Sequence, residues 1–222
     1  MNVFDIIGPV MIGPSSSHTA GAVRLGRVAS KVMDGKKPAE IVITLSGSFA
    51  RTYRGHGTDR ALLAGLMGYH SYESEIRDAL EIAKERGIRY RFVTEDIPGS
   101  HPNTARIHFI LENGEEGTVE GASVGGGSIR VDYVNGMRVD FTGEYNTLLI
   151  LHWDRPGVIA DVTNLMRLMY PDLNICNFHL SRKERGGEAL MTIEFEGTAP
   201  DGVVETVRRV NHVINAMVLR KI

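Results

Sequence analysis

Residues 147–166 read Thr-Leu-Leu-Ile-Leu-His-Trp-Asp-Arg-Pro-Gly-Val-Ile-Ala-Asp-Val-Thr-Asn-Leu-Met, and this stretch decides half of the fold. Thr147–His152 is apolar and β-branched enough for a buried strand. Asp154-Arg155-Pro156-Gly157 then breaks it, and Pro156 is expected to begin a helix running to about Tyr170, because proline is favoured in a first turn. Downstream, Leu173–Ser181 and Glu188–Phe195 read as strands flanking an Arg185-Gly186-Gly187 turn. Pro200-Asp201 starts a last helix expected to end near His212, and Ile214–Leu219 is a final strand. Strand, helix, strand, strand, helix, strand is the ferredoxin-like βαββαβ order.

Upstream the composition changes. Twenty of the 25 glycines fall in residues 1–146, so the two parts are expected to be separate domains, 1–142 and 147–222, joined through Thr142-Gly143-Glu144-Tyr145-Asn146. The first part reads as mixed α/β. An apolar face built on Val23, Leu25, Val28, Ala29 and Val32 predicts a helix from about His18 to Met33, ended by Gly35. Glu40–Leu45 reads as a buried strand, Ala61–Tyr69 as a helix behind the cap-type residues Thr58 and Asp59, and Ser74–Arg86 as an amphipathic helix. Strands are expected at 89–94, 104–111, 118–123, 128–134 and 137–141, the last two joined by the hairpin signal Asn135-Gly136.

Charge and composition exclude several functions. The 222 residues carry a net charge of −2, which gives no electrostatic case for nucleic acid. With 42% apolar residues and no run of 18, the chain is expected to bury a core without spanning a membrane. The N-terminal Met1–Asp5 has no secretory pattern. Cys176 is the single cysteine, so no internal disulfide forms and a reducing, cytoplasmic setting is expected. Alternation places it with Phe178 and Leu180, as a buried small hydrophobe rather than a nucleophile.

Two constellations carry chemistry. Gly13-Pro14-Ser15-Ser16-Ser17-His18-Thr19 puts hydroxyls and an imidazole at a glycine-rich helix start, where free N–H groups favour a carboxylate or phosphate. Arg51-Thr52-Tyr53-Arg54-Gly55-His56-Gly57-Thr58-Asp59 sets a poorly shielded histidine before another helix start. Both His18 and His56 suit acid–base work near neutrality. Asp59 caps the helix or orients an imidazole, and Arg51 and Arg54 are carboxylate candidates or solvated charges. Ser100-His101-Pro102-Asn103-Thr104 is a turn in which Asn103 is a weaker ligand candidate. Gly125-Gly126-Gly127 lacks the following Lys-Ser/Thr of a phosphate loop, and reads as backbone lining a site or interface. No G-x-S-x-G supports a hydrolase.

The segments FDIIGPVMIGPSSSHTAGAVRLG (4–26), GSFARTYRGHGTDRALLAGLMG (47–68) and GGGSIRV (125–131) together resemble the beta subunit of two-chain, iron–sulfur-dependent L-serine dehydratases. Residues 147–166 resemble an ACT domain, an amino-acid-sensing module of ferredoxin-like fold. The resemblance implies conversion of L-serine to pyruvate and ammonia, in serine breakdown toward gluconeogenesis. It implies a [4Fe-4S] cluster on a separate alpha subunit, no pyridoxal phosphate, and no metal ligands in this chain; a monovalent cation requirement stays open. The N-terminal domain is then expected to resemble a substrate-sensing domain of some phosphoglycerate dehydrogenases. His18 or His56 would move protons, while Ser15, Ser16, Ser17, Thr19, Asp59 and Asn103 would bind substrate. In the ACT part Asp154 and Gly157, with Asn164 weaker, would take a regulatory amino acid, and the domain would self-associate. The alternative is a noncatalytic amino-acid-binding regulator, which would not need two histidine-bearing glycine loops.

Overall fold

The computed structural model describes residues 9–222; the Met1–Asp5 reading and residues 4–8 of the first motif lie outside them. The chain divides into two compact units, 1–136 and 137–222, at the Asn135-Gly136 turn and ahead of the compositional shift. Both turn residues have positive φ, 50° and 72°, as a two-residue hairpin turn demands.

In the first unit a π-helical turn, Ser17–Gly21, runs into α1 (Ala22–Val32). Strand β1 (Pro38–Leu45) is followed by α2 (Gly47–His56), α3 (Thr58–Leu66), a 3-10 turn (Ser74–Asp78) and α4 (Ala79–Glu85). Then come β2 (Arg89–Thr94), β3 (Thr104–Leu111), β4 (Glu116–Gly125) and β5 (Ser128–Val134). The strands lie in the order β2-β1-β3-β4-β5. Among the described residues only β1 and β2 pair in parallel, and α2, α3 and α4 make the crossover that a parallel pair requires. The unit's core fills with Leu25, Ile41, Ile43, Leu62, Leu63 and Ile107, all with 1% or less of their surface exposed.

Two glycines set how α1 and α3 meet. A methyl on Gly26 would lie 2.2 Å from the Leu62 carbonyl oxygen, and one on Gly65 2.0 Å from that of Val23. The helices therefore touch backbone to backbone. Both begin at the end of the unit that carries the histidine motifs.

The second unit opens with β6 (Met137–Phe141). It continues through β7 (Asn146–Trp153), α5 (Val158–Met169), β8 (Ile175–Arg182), β9 (Glu188–Phe195), α6 (Val203–Arg208) and β10 (Val213–Leu219). The sheet order β10-β7-β9-β8, all antiparallel, is the ferredoxin-like arrangement anticipated from the sequence. Leu148, Ile150, Met191, Ile193 and Phe195 pack under Val158, Val162 and Val207 of the helices. Strand β6 lies along β8, where Arg138 and Asp140 carbonyls accept from Ser181 Oγ and Asn177 Nδ2.

Four readings of the sequence need correction. Arg51–His56 is helix rather than loop: α2 starts at Gly47, whose φ of 58° allows the chain to turn off β1, and Gly55 is simply tolerated inside it. Helix α5 starts at Val158 rather than Pro156, because Gly157 takes a left-handed φ of 94°; α6 likewise stops at Arg208, short of His212. Cys176 is exposed, not buried, because β8 is the sheet edge and its residues Ile175, Phe178 and Leu180 are themselves more than a third exposed.

Candidate active site

The π-helical turn gathers the first motif. Its wide winding bonds the Gly21 amide to the Ser16 carbonyl, five residues back, at 2.9 Å, while the Thr19 amide meets the Ser15 carbonyl at 2.8 Å with ordinary α-helical spacing. Such one-turn π segments often occur at functional sites. The turn buries His18 and Thr19 while Ser15, Ser16 and Ser17 stay partly accessible.

Small residues behind the turn let it approach the sheet. A methyl on Gly21 would meet Ser123 Oγ at 2.1 Å, and one on Gly13 would meet Thr19 Oγ1 at 2.0 Å. Gly127, with φ of 87°, backs onto Pro9 and Ala20. The triple-glycine turn between β4 and β5 thus packs against the histidine-bearing turn.

His18 sits between two hydroxyls. Ser15 Oγ lies 3.4 Å from Nδ1, and Ser48 Oγ lies 3.4 Å from Nε2. Its ring meets Phe49 edge-on at 5.2 Å and His56 edge-on at 4.7 Å between centroids. Burial, reinforced by the charge His56 can carry, holds the His18 imidazole below its ordinary 6.5. A histidine of this kind is neutral at neutral pH and able to accept a proton.

His56 is the last residue of α2, with Gly57 in the left-handed conformation behind it. Its Nδ1 is buried without a hydrogen-bond partner, as is Thr19 Oγ1. Both residues line a cleft of about 320 Å³ together with Gly13, Arg54, Arg60 and Arg77.

Asp59 lies in the first turn of α3, not at its cap, and its Oδ1 accepts from the Arg60 amide at 2.8 Å. Burial raises its carboxyl above the usual range, and the Arg60 amide with the Arg60 and Arg54 charges opposes that. Asn103 stands behind the π turn: its Nδ2 donates to the Ser123 carbonyl at 3.4 Å, and its Oδ1 is buried without a partner. The neighbouring Pro102 carbonyl accepts from the Ser48 and Phe49 amides at 2.6 and 3.3 Å, which fixes the start of α2. Hence Ser15, His18, Thr19 and His56 converge, with Ser16 and Ser17 on the same turn.

Ser48 and Phe49 were missed by sequence reasoning, as were Arg60 and Arg77. The local signal for Ser48 was a Ser-Gly-Ser following an apolar strand, a hydroxyl at a strand-to-helix turn. No signal in the sequence brings Arg60 and Arg77 to His56.

In the second unit Asp154 is engaged. Its Oδ2 accepts from the Gly186 amide at 2.9 Å and from Arg182 at 2.6 Å, which holds its carboxyl below the usual range. Gly157 forms the left-handed start of α5, and Asn164 lies exposed along that helix.

The donor set does not fit an iron–sulfur cluster. Cys176 is the chain's one cysteine and stands on β8 of the second unit. Among the described residues no three His, Cys, Asp or Glu side chains are grouped to hold a metal ion. No helix among them is long and apolar enough to cross a membrane.

The serine dehydratase beta chain family matches residues 2–91. The probable L-serine dehydratase beta chain of Bacillus subtilis (strain 168) is 42% identical over 213 residues, 96% of this chain and 95% of that one. The L-serine dehydratase beta chain of Peptoniphilus asaccharolyticus is 37% identical over 88% of this chain and 87% of its own. D-3-phosphoglycerate dehydrogenase of Bacillus subtilis is 28% identical over 89% of this chain, but over only 37% of its own length. Sequence identity of this extent, sustained along both units, means that the chain belongs to the serine dehydratase beta-chain family.

Proposed function

We propose that this chain is the half of a cytoplasmic L-serine dehydratase that supplies proton transfer and substrate contacts to an alpha partner. The overall reaction removes the α proton and the β-hydroxyl of L-serine as water, and the resulting enamine tautomerises and hydrolyses to pyruvate and ammonia. The [4Fe-4S] cluster belongs in this reading to the alpha chain, since one thiol cannot carry it.

The observation that carries the reading is His18. It is buried between Ser15 Oγ and Ser48 Oγ, against His56, with its basicity lowered by burial and then by the His56 charge, which favours the neutral imidazole that a proton acceptor must be. The serine hydroxyls hold the ring's plane; Ser16, Ser17 and Thr19 stand on the same turn to receive polar groups of the substrate. Asn103 and Asp59 support that turn and α3 from behind. Serine breakdown of this kind feeds pyruvate toward gluconeogenesis. The second unit is read as an ACT-type module for self-association and amino-acid sensing around Gly157 and Asn164, with Asp154 ordering the turn beside them.

The test is anaerobic reconstitution with a cluster-loaded alpha chain, followed by pyruvate release. Turnover from the mixture and none from either chain is expected. Pyruvate formation by this chain alone, or a mixture that stays inert with intact cluster absorbance, overturns the proposal.

A further inference from the structure

The cleft beside His56 is lined by positive charge. Arg54, Arg60 and Arg77 all line it, and none forms an ion pair with a described carboxylate. Arg54 is steadied by its own neighbour, with Nε donating to Tyr53 Oη at 3.1 Å and the guanidinium stacked 5.4 Å from the Tyr53 ring centre. The Arg60 and Arg54 charges act on the Asp59 carboxylate, whose Oδ1 is bonded to the Arg60 amide.

The wall of the cleft is also unfinished. Thr19 has only 2% of its surface exposed, yet its Oγ1 has no hydrogen-bond partner, and His56 Nδ1 is likewise buried and unpartnered. A buried polar atom left unpaired costs free energy, so such atoms normally await a ligand or water. Gly57, left-handed at φ of 70°, opens the nine-residue helix α3 into the same cleft, and nothing stands within 4 Å of where its side chain would be. The dipole of α3 favours a negative charge there, and of its first amides those of Gly57 and Arg60 are already bonded to the Tyr53 carbonyl and to Asp59 Oδ1.

We infer that this cleft is an anion subsite, in which Arg60 and Arg77 pair with a carboxylate or phosphate group while Thr19 Oγ1 and the start of α3 complete its hydrogen bonds. Guanidinium groups make two-pronged, charge-assisted bonds to either kind of oxyanion. Two sources share that chemistry: the carboxylate of the substrate and a free phosphate. The subsite rests on the proposed function only for the choice between them.

The test begins without turnover. The full-length chain is titrated with sodium phosphate at ionic strength held constant with sodium chloride, and the amide signals of Gly57 and Thr58 are followed by NMR. Saturable shifts are expected. The double variant Arg60→Ala, Arg77→Ala should weaken binding about tenfold or more, the loss expected when charge-assisted bonds are removed. The double variant Arg60→Lys, Arg77→Lys should keep part of the affinity, and Arg86→Ala, which removes a charge beside Tyr69, should change nothing. Non-saturating shifts, an unchanged alanine variant, or an equal loss in Arg86→Ala overturns the subsite.

A second arm uses the enzyme assembled with its alpha chain. Phosphate that raises the KM for L-serine with kcat unchanged assigns the subsite to the substrate carboxylate; an unchanged KM with binding intact assigns it to a free anion. If phosphate binds as expected while the assembled chains never turn over, the function fails and the subsite stands.

Discussion

The imidazole rings of His18 and His56 stand 4.7 Å apart at an interplanar angle of 89°, one from a π-helical turn and the other from the end of α2. Two positive rings at that distance repel, so the pair does not readily hold two protons together. His18 is the more enclosed member, and burial lowers its proton affinity first, with the His56 charge second. The arrangement favours a neutral acceptor at His18 and leaves His56 on the wall of the arginine-lined cleft.

That ordering has a pH signature. Because the folded protein binds the His18 proton less tightly than the unfolded chain does, the unfolded state takes up more protons below the ordinary value of 6.5. The stability tied to His18 is therefore complete above about pH 6.5 and is lost as the pH falls from there through the lower, folded value. An NMR titration of the ring protons should place the His18 midpoint below that of an exposed imidazole. A midpoint at or above 6.5 contradicts the burial argument.

Removing the acceptor should remove turnover. His18→Gln keeps a polar group between Ser15 and Ser48 but cannot take a proton. In the enzyme assembled with its alpha chain, kcat should fall by roughly 10²–10⁴-fold, the usual worth of a positioned acid–base group. His108→Gln, on β3 and paired with Glu116, should leave kcat unchanged. A His18→Gln enzyme of normal kcat would make the histidine structural.

Strands and the second unit were legible because alternation and turn residues report local geometry directly: Asn135-Gly136 and the Leu148/Ile150 face are read from neighbours in sequence. Helix α2 was not, because Gly47, Gly55 and Gly57 look like loop punctuation, and only the Pro102 carbonyl, far along the chain, shows why a helix starts there. Half of the site was legible for the same reason that half was hidden. Ser15 and His18 lie within one turn, whereas Ser48, Arg60 and Arg77 reach it through the packing of α2, α3 and the segment after them. The exposure of Cys176 depends on which strand is the edge, a property of sheet order that alternation does not carry.

The glycines divide into those that hold the fold and those that do not. Gly65→Ala would drive its methyl to 2.0 Å from the Val23 carbonyl oxygen, a backbone atom that cannot turn aside. Helices α1 and α3 must part, at about 1–3 kcal/mol or more. Gly55→Ala meets nothing within 4 Å inside α2 and should stabilise by roughly 0.5–1 kcal/mol. Urea unfolding midpoints of the two variants should move in opposite directions; the same direction for both would mean that α1 and α3 do not pack as described.

Asp154 should behave as a clasp. Its carboxylate is held below the usual range first by the Gly186 amide and then by Arg182, so the turn between β8 and β9 is ordered by one ionised group. Asp154→Ala should speed hydrogen exchange at the Gly186 amide while leaving β7 amides protected. The contribution of the wild-type carboxylate is present above the ordinary 3.8 and is lost as the pH falls through its lower folded value. Exchange at Gly186 that does not change in the variant would free Asp154 for some other partner.

Cys176 offers a direct check on the edge of the second sheet. The thiol is exposed, so one equivalent should react with a disulfide reagent in the native protein without denaturant. Desolvation, assisted by the charges of Glu194 and Glu196, raises its pKa above the ordinary 9.0. Since the thiolate is the attacking species, the reaction should be slower at neutral pH than that of a free cysteine. It should also accelerate as pH rises over a range where an unperturbed thiol has begun to level off. A thiol that reacts only after unfolding would mean that β8 is covered in solution, and a pH at which the protection is lost together with a halving of mass would identify the cover as a second copy of the chain.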